Sequence, residues 1–349
     1  MGRTATGRPT SFDIAYLAGV SQPTVSRALR GDSSVSPKTR QRIEQIAREL
    51  NYTVDKNASS LRSQRSNTIA LLFFEDPTPD ESMINPFNLS MLGSITRACA
   101  ARGLDLLISF QQQENDWHAR YQDSHRADGL ILLGYGGYSS YRKKLKQLEA
   151  QGTHYARWGS VSRDEDGRTV GSDNVGAGRT VGQHLLRLGR RRIVFLGETG
   201  ENSPELDGRY RGLLQAVEDA GLPPDAVRQS DAITTEQSGF DAMTRVLGSG
   251  APPDAVFAAS DLVAIGAMRA LGAAGLRVPE DVAVVGFDDI PAASHSNPPL
   301  TTISQDIKGA GDRLVEALLC QIDGREAPPN RLATRLVVRD SSGGKAAPR

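Results

Sequence analysis

Cysteine, aromatic residues and long apolar segments are scarce in this sequence. The two cysteines, Cys99 and Cys320, lie far apart in apolar stretches with helical spacing. We expect both to be buried free thiols in a reducing compartment, rather than a disulfide or part of a metal site. No apolar run is long enough to cross a bilayer, so the sequence predicts no membrane span and no membrane partner.

The motifs of several enzyme classes are also missing. There is no P-loop, no His-Glu-x-x-His and no Gly-x-Ser-x-Gly. The histidines lack metal-ligand spacing and are expected to be solvated or packed, at His118, His125, His154, His184 and His295. We therefore predict a protein that is not an enzyme and that uses neither a metal nor a cofactor. The segment from Met1 to Arg8 leads into no apolar signal, which indicates a cytoplasmic location.

Charge is distributed unevenly along the chain. Residues 1–66 contain eleven Lys and Arg against five Asp and Glu, a net charge of +6, and since the whole chain is neutral the remainder carries −6. A basic head can neutralise phosphates while an acidic body repels them. This pattern favours a nucleic-acid-binding module joined to a separate domain; a chance imbalance of surface charge is the alternative.

Three short helices are predicted in residues 10–51 from their capping residues. The first spans about Phe12–Ala18, with Thr10 or Ser11 as cap and Gly19 as stop; the second runs from the cap Ser21 to Gly31; the third has Ser36 as cap and Pro37 at its first position. The third also carries one apolar stripe, formed by Ile43, Ile46, Ala47 and Leu50. The head is therefore predicted to be all-α.

The second helix has two chemically different faces. Val25, Ala28 and Leu29 share one face, and Gln22, Pro23, Ser26 and Arg27 share the other. An amide, a hydroxyl and a guanidinium on one face are suited to reading base edges and phosphates in a major groove. The glycine turn before this helix predicts a helix-turn-helix. A small dimerisation domain with a polar outer face is the alternative.

Ser11 to Tyr52, SFDIAYLAGVSQPTVSRALRGDSSVSPKTRQRIEQIARELNY, resembles the DNA-binding domain of the LacI/GalR family of bacterial repressors. The resemblance implies a homodimer on a pseudo-palindromic double-stranded operator. It implies base contacts by Gln22, Pro23 and Arg27, and phosphate contacts by Ser21, Thr24, Ser26 and Thr39.

Residues 52–66 are polar and, taken alone, indicate a flexible linker. The resemblance implies instead a hinge helix that folds on the operator and enters the minor groove, with Leu61 as the wedge and Ala58 three residues before it. Val54 stands where the family usually has proline, and Ser59 where it often has arginine.

From Thr68 onward, apolar strands alternate with helices. Strands are expected at Ile69–Phe74, Leu104–Ser109, Gly129–Leu133, His154–Arg157, Ile193–Gly197, Ala255–Ala258 and Val282–Phe287, and helices near Asn88–Ala101, Tyr141–Ala150, Arg209–Ala220 and Leu262–Ala274. In the first of these helices Leu89, Leu92, Ile95 and Cys99 are expected to point inward. The pattern predicts an α/β core of two Rossmann-like halves with a cleft between them.

The core also resembles the LacI/GalR family, which implies a fold of the periplasmic-binding-protein type. The resemblance is carried by Asn85-Pro86-Phe87, Ser172-Asp173-Asn174, Arg209-Tyr210-Arg211-Gly212, Val284 to Asp289 and Pro298 to Ile303. It implies an N-terminal half of about 67–192 plus 301–330, a C-terminal half of about 193–300 plus 331–340, and a disordered tail at 341–349. The chain ends without a leucine heptad, which argues against a tetramer built through one.

In the family a small-molecule effector binds between the halves, and five residues are candidates to hold it, among them Trp158 because it ends a predicted strand. Arg209 and Asp288 match the arginine and aspartate that commonly hold the effector, and for each of them an ion pair between the halves is the alternative. Ser260 is an effector contact or a helix cap, and Phe87 and Trp158 stack on the effector or pack in the core. Sugars or glycosides are the expected class, and purines or nucleosides are the alternative. The remaining alternative is a small-molecule-binding protein without operator-specific DNA binding.

Overall fold

The structure is a computed structural model that describes residues 9–29, 31–52, 65–76, 84–112, 114–161 and 167–344. The chain divides into two compact units, Met1–Ser66 and Asn67–Arg349. The predicted hinge positions Val54, Ala58, Ser59 and Leu61 lie outside the described residues.

The head contains three helices, α1 (Ser11–Ala18), α2 (Gln22–Leu29) and α3 (Pro37–Glu49). Thr10 caps α1 through a capping box with Asp13, and Gly19 ends it with a left-handed φ of 60°. Ser36 caps α3 by accepting a hydrogen bond from the Thr39 N–H at 3.2 Å. The apolar faces of the helices meet in one small core, which contains Ile14, Ala15, Ala18, Val25, Ala28, Val35, Ile43 and Ala47.

The N-terminal lobe of the core is built on a six-stranded parallel sheet. Its strands are β1 (Thr68–Phe73), β2 (Asp105–Phe110), β3 (Gly129–Leu133), β4 (Tyr155–Trp158), β5 (Thr169–Ser172) and β11 (Arg331–Leu332), in the order β11-β5-β4-β3-β1-β2. Its helices are α4 (Pro86–Ala101), a π-helical turn (His118–Asp123), α5 (Tyr138–Ala150) and α11 (Ile307–Ile322).

Strand β1 is apolar throughout because helices cover both faces of this sheet. Ile69 and Leu71 belong to the core cluster that includes residues of α4 and α11. Ala70 and Leu72 belong to the cluster on the other face, with Trp117 and residues of α5. A strand buried on both sides has no polar alternation, and this explains the continuous apolar run in the sequence.

The C-terminal lobe has a four-stranded parallel sheet in the order β7-β6-β8-β9. Its strands are β6 (Ile193–Leu196), β7 (Val227–Ser230), β8 (Ala255–Ala258) and β9 (Ala283–Val285), and its helices are α6 (Asn174–Arg187), α7 (Pro204–Asp219), α8 (Glu236–Gly248), α9 (Asp261–Ala273) and α10 (Pro291–His295). Strands β10 (Thr302–Gln305) and β12 (Thr334–Val337) pair antiparallel and lie against this lobe through bridges to residues at and after the end of β9.

The chain crosses between the lobes at points other than those expected. Helix α6, predicted to belong to the N-terminal half, packs on α7 and in the core of the C-terminal lobe. The approach is close: a Cβ added at Gly178 of α6 would lie 2.0 Å from the Arg209 carbonyl oxygen. The first crossing therefore falls near Asp173 instead of 192. The second follows β10 rather than preceding it, and the third lies between β11 and β12.

Two further expectations are corrected. Leu89 is 52% exposed rather than inward, and Met91 and Ile95 fill the buried face of α4. The tail predicted to be disordered from Ser341 begins as a buried 3₁₀ turn (Asp340–Ser342). Ser341 Oγ donates to the Val284 carbonyl at 2.6 Å and accepts from the Thr301 N–H at 2.8 Å. Residues 345–349 lie outside the described residues. Cys99 and Cys320 are buried free thiols, as predicted.

Candidate nucleic-acid interface and ligand cleft

Helix α2 presents its polar side outward, as its pattern predicts. Val25 and Ala28 are buried in the head core, whereas Pro23 and Arg27 are exposed. Gln22 is half-buried, and its Nε2 donates to Ser11 Oγ at 3.2 Å, so its amide is held against the start of α1. This face can present an amide and a guanidinium to an edge of base pairs.

The predicted phosphate contacts cluster at helix N-termini. Ser21 and Thr24 join their hydroxyls at 2.9 Å where α2 begins, and Ser36 and Thr39 do the same at 2.8 Å where α3 begins. Unpaired backbone N–H groups and the helix dipole favour anions at such ends. Ser26, on the second turn of α2, is half-buried.

A cavity of about 530 Å³ lies between the two lobes of the core; we call it the interlobe cleft. Its walls consist largely of residues at and just after the carboxyl ends of strands, together with the first turns of helices, as expected where two such sheets face each other. The described lining residues are Phe74, Asp76, Asn85, Phe87, Asn88, Gly134, Tyr135, Gly136, Gly137, Trp158, Glu198, Asn202, Ser203, Glu205, Leu206, Arg209, Ile233, Thr234, Thr235, Asp288 and Gln305.

Four of the five predicted effector residues meet at this cleft: Phe87, Trp158, Arg209 and Asp288. The rings of Phe87 and Trp158 lie 5.9 Å apart at 47°, and form one apolar wall. Ser260 does not appear among the described lining residues. It is buried and caps α9, accepting the Val263 N–H at 3.3 Å. Of the two roles expected for Ser260, the structure therefore shows the helix cap.

The Arg209 guanidinium is held by three contacts within the C-terminal lobe. Its Nε donates to Asn174 Oδ1 at 2.9 Å, another N–H donates to the Ala259 carbonyl, and its guanidinium carbon lies 3.5 Å from the centre of the Phe287 ring. Burial lowers the pKa of Arg209, and the charge of Asp288 raises it. Within the described residues, no ion pair joins Arg209 or Asp288 to the N-terminal lobe, and the polar partners of Arg209 are Asn174 and the Ala259 carbonyl of its own lobe.

Asp288 follows β9 with a φ of 113°, a backbone conformation that is unusual outside glycine. Such strain is typical of residues that a binding site holds in place. Its Oδ1 accepts a hydrogen bond from Gln305 Nε2 at 2.7 Å. Burial raises the pKa of Asp288 to about 6, against the opposing effect of Arg209.

Sequence reasoning missed a set of carboxylates and one tyrosine at the cleft. Asp76, Glu198 and Tyr135 follow β1, β6 and β3, and Glu205 lies in the first turn of α7. Glu205 joins the lobes, because its carboxylate accepts the Tyr135 hydroxyl and the Ser160 N–H, the latter at 2.6 Å. Asp76, Glu198 and Tyr135 could have been predicted from the sequence, because each follows shortly after a predicted strand.

Two negative findings apply to the described ranges. No helix there is long and apolar enough to cross a membrane. No group of three or more His, Cys, Asp or Glu side chains in those ranges is arranged to hold a metal ion.

Comparison with known proteins gives family matches to both units. Residues 12–55 match the family described as bacterial regulatory proteins, lacI family, and residues 183–342 match the periplasmic binding protein-like domain. The chain is 34% identical over 342 residues to the HTH-type transcriptional regulator CelR of Thermobifida fusca, covering 96% of this chain and 98% of the relative. It is 31% identical to the ribose operon repressor of Escherichia coli K12, covering 90% and 93%.

Solved structures agree with these matches. A CelR–cellobiose complex superposes with a TM-score of 0.68 at 32% identity, covering 96% of this chain and all of that one. The lac repressor dimer bound to operator and an anti-inducer superposes with a TM-score of 0.77 at 28% identity, covering 96% and 99%.

The matches confirm the predicted fold class, a helix-turn-helix head with a two-lobed α/β core of the periplasmic-binding-protein type. They also confirm the predicted function of a DNA-binding transcription regulator. Because relatives at least 31% identical span nine-tenths of its length, the chain belongs to the lacI family of bacterial regulatory proteins.

Proposed function

We propose that this regulator is a dimeric repressor whose affinity for a pseudo-palindromic operator is set by a carbohydrate in the interlobe cleft. The observation that carries the proposal is the pairing of two sites in one chain. One is an outward polar face on α2, and the other is a cleft with an aromatic wall beside buried polar groups. Sugars need both kinds of surface, because their hydroxyls hydrogen-bond while their C–H faces pack on rings.

Relatives of this chain support the carbohydrate class. CelR has been solved as a complex with cellobiose, and other relatives include the ribose operon repressor. A purine or nucleoside is the second candidate, since aromatic rings also stack on bases and a relative 27% identical is the repressor PurR of Mannheimia succiniciproducens.

The head should bind DNA through the residues singled out on α2 and at the helix N-termini. Gln22, Pro23 and Arg27 would contact bases, while Ser21, Thr24, Ser26 and Thr39 would hold phosphates. Selection of binding sites from a random duplex library by the full chain tests this. A symmetric site should be enriched, and the absence of any enriched sequence would refute operator recognition.

Substitution of one base-reading arginine sharpens the test. Arg27→Ala should weaken binding to the selected site by about 1–3 kcal/mol, while binding to random DNA falls less. Arg48→Ala is the matched control, because Arg48 is also exposed but lies in the last turn of α3. If both variants lose the same affinity for the selected site, Arg27 contributes only its charge and does not read bases.

We infer that the linker contributes a hinge in which Leu61 wedges a central base step and Ala58, three residues before it, also contacts the DNA. The support is the family resemblance of residues 52–66. Leu61→Ala should lower operator affinity without lowering the affinity for random DNA. Operator binding at the level of the unsubstituted chain would contradict the hinge role.

The two chains are proposed to pair through their N-terminal lobes. Leu89 on α4 and Ile108 on the edge strand β2 are large apolar side chains more than half exposed, at 52% and 51%. Pairing there would bring two heads to successive major grooves. We infer further that the protein is not an enzyme, and that it acts in the cytoplasm and on the nucleoid when bound to DNA.

A further inference from the structure

The interlobe cleft is rich in carboxylates. Among its described lining residues, Asp76, Glu198, Glu205 and Asp288 are acidic, and Arg209 is the one cation. Asp76 comes from the N-terminal lobe and the other three from the C-terminal lobe, so a ligand between the lobes faces negative charge on both sides. Burial raises the pKa of Asp76 and of Asp288 only to about 6, which leaves both ionised at pH 7.5.

Arg209, the one cation among the described lining residues, already interacts with groups of the protein. Two N–H groups of Arg209 donate to Asn174 and to the Ala259 carbonyl, and the Phe287 ring lies against its guanidinium. Burial lowers the pKa of Arg209, and the negative charges of Asp288 and Glu205 oppose that effect. An anionic ligand would therefore compete with carboxylates that already balance this charge.

Glu198 is placed to act on a ligand directly. It follows β6 at the cleft and is half-buried, and its Oε2 accepts the Ser203 hydroxyl at 2.8 Å. Ionised carboxylates only accept hydrogen bonds, so they complement sugar hydroxyls and repel a carboxylate or a phosphate.

We propose that the cleft selects an uncharged carbohydrate and rejects the acid and phosphate forms of the same sugar, with Glu198 as a specificity-determining residue. This inference rests on the proposed function, since it assumes that the cleft takes a carbohydrate. It separates this chain from any regulator in which a carboxylate or phosphate on the effector is the group that is recognised. Phe87 and Trp158 supply the apolar surface on which the sugar ring packs, and the carboxylates accept hydrogen bonds from its hydroxyls.

Matched ligand pairs test the proposal on the full chain at pH 7.5 and constant ionic strength. The probes are cellobiose against cellobiouronate, glucose against glucuronate and glucose 6-phosphate, galactose against galacturonate, and ribose against ribose 5-phosphate, all of which keep a sugar ring. Calorimetric titration measures each affinity. The neutral member that binds best should bind about 100-fold more tightly than its acid or phosphate partner, because the acid adds one negative charge, and the phosphate nearly two, beside the carboxylates of the cleft.

Variants assign the effect to Glu198. Glu198→Gln should narrow the preference for the neutral member about tenfold, because one repelling charge is removed while the side chain keeps its shape. Glu201→Gln is the matched control, since Glu201 lies in the same loop but is exposed and is not among the described lining residues. An unchanged preference in Glu198→Gln would overturn the assignment of this residue.

The possible outcomes separate this inference from the proposed function. A sugar acid or phosphate that binds as tightly as its neutral partner overturns the inference, whatever the DNA results. If no probe binds to a chain that still selects an operator, the proposal that the cleft binds a carbohydrate is refuted, whereas the proposal of operator recognition is not. If the chain selects no operator, the proposed repressor function is refuted. Calorimetry then still shows whether the cleft prefers a neutral or a charged sugar.

Discussion

The contact between Tyr135 and Glu205 should hold the two lobes together. Tyr135 follows β3 of the N-terminal lobe, and its hydroxyl donates to the carboxylate of Glu205 on α7 of the C-terminal lobe. Burial and the charge of Glu205 raise the pKa of the Tyr135 phenol, so the phenol remains a donor at any pH in ordinary use. Both groups are half-buried, so water screens the contact only partly.

The strength of this contact follows from its chemistry. A hydrogen bond to a charged acceptor contributes about 1.5–3 kcal/mol net. A double-mutant cycle of Tyr135→Phe and Glu205→Ala should therefore give a coupling free energy in that range, because the two side chains touch. Glu205→Ala alone should be the larger single loss, since it also removes the acceptor of the Ser160 N–H.

Urea unfolding of the full chain measures the coupling. Tryptophan fluorescence is a suitable signal, since both tryptophans, Trp117 and Trp158, are in the N-terminal lobe and Trp158 lines the cleft. The control cycle is Ser139→Ala with Asn202→Ala, whose hydrogen bond of 3.1 Å also crosses the lobes but is exposed. We expect about 0.5 kcal/mol or less there. A Tyr135–Glu205 coupling no larger than the control would refute the reasoning.

Three further predictions concern stability. Ser36→Ala should destabilise the head by about 1 kcal/mol, because α3 loses its N-cap. Thermal unfolding of residues 1–66 within the full chain measures the loss, and an unchanged midpoint would show that the cap does not stabilise the head. Gly178→Ala should cost about 3 kcal/mol or more in urea because its Cβ would lie 2.0 Å from the Arg209 carbonyl oxygen, whereas Gly272→Ala, with nothing within 4 Å, should be neutral or stabilising. Because burial raises the pKa of Asp288 from 3.8 to about 6, the folded state holds this proton longer than the unfolded chain, so its contribution is full below pH 3.8 and is lost as pH rises through 6. Asp288→Asn should flatten that decline by up to about 3 kcal/mol in unfolding measured from pH 4 to 7, and an identical slope would contradict the raised pKa.

Local patterns in the sequence were sufficient for the head and for the type of most core elements. The two faces of α2, the stop at Gly19 and the cap at Ser36 concern residues within one or two helical turns, so they can be read directly. The all-apolar strand β1 likewise indicates burial on both faces. Phe87, Trp158, Arg209 and Asp288 were found as cleft residues through family resemblance and strand ends, and their binding of an effector remains a prediction.

What the sequence could not decide depends on contacts between distant residues. Helix α6 belongs to the C-terminal lobe because Gly178 allows close contact with α7, and no local pattern reports that neighbour. Ser341 is ordered because its hydroxyl bonds to Val284 and Thr301. The carboxylates of the cleft come from three distant parts of the chain, at Asp76, at Glu198 with Glu205, and at Asp288, and only the approach of the two lobes gives them a common site. Periodicity and capping are properties of neighbouring residues, whereas lobe assignment, tail order and cleft charge arise when the chain brings remote segments together.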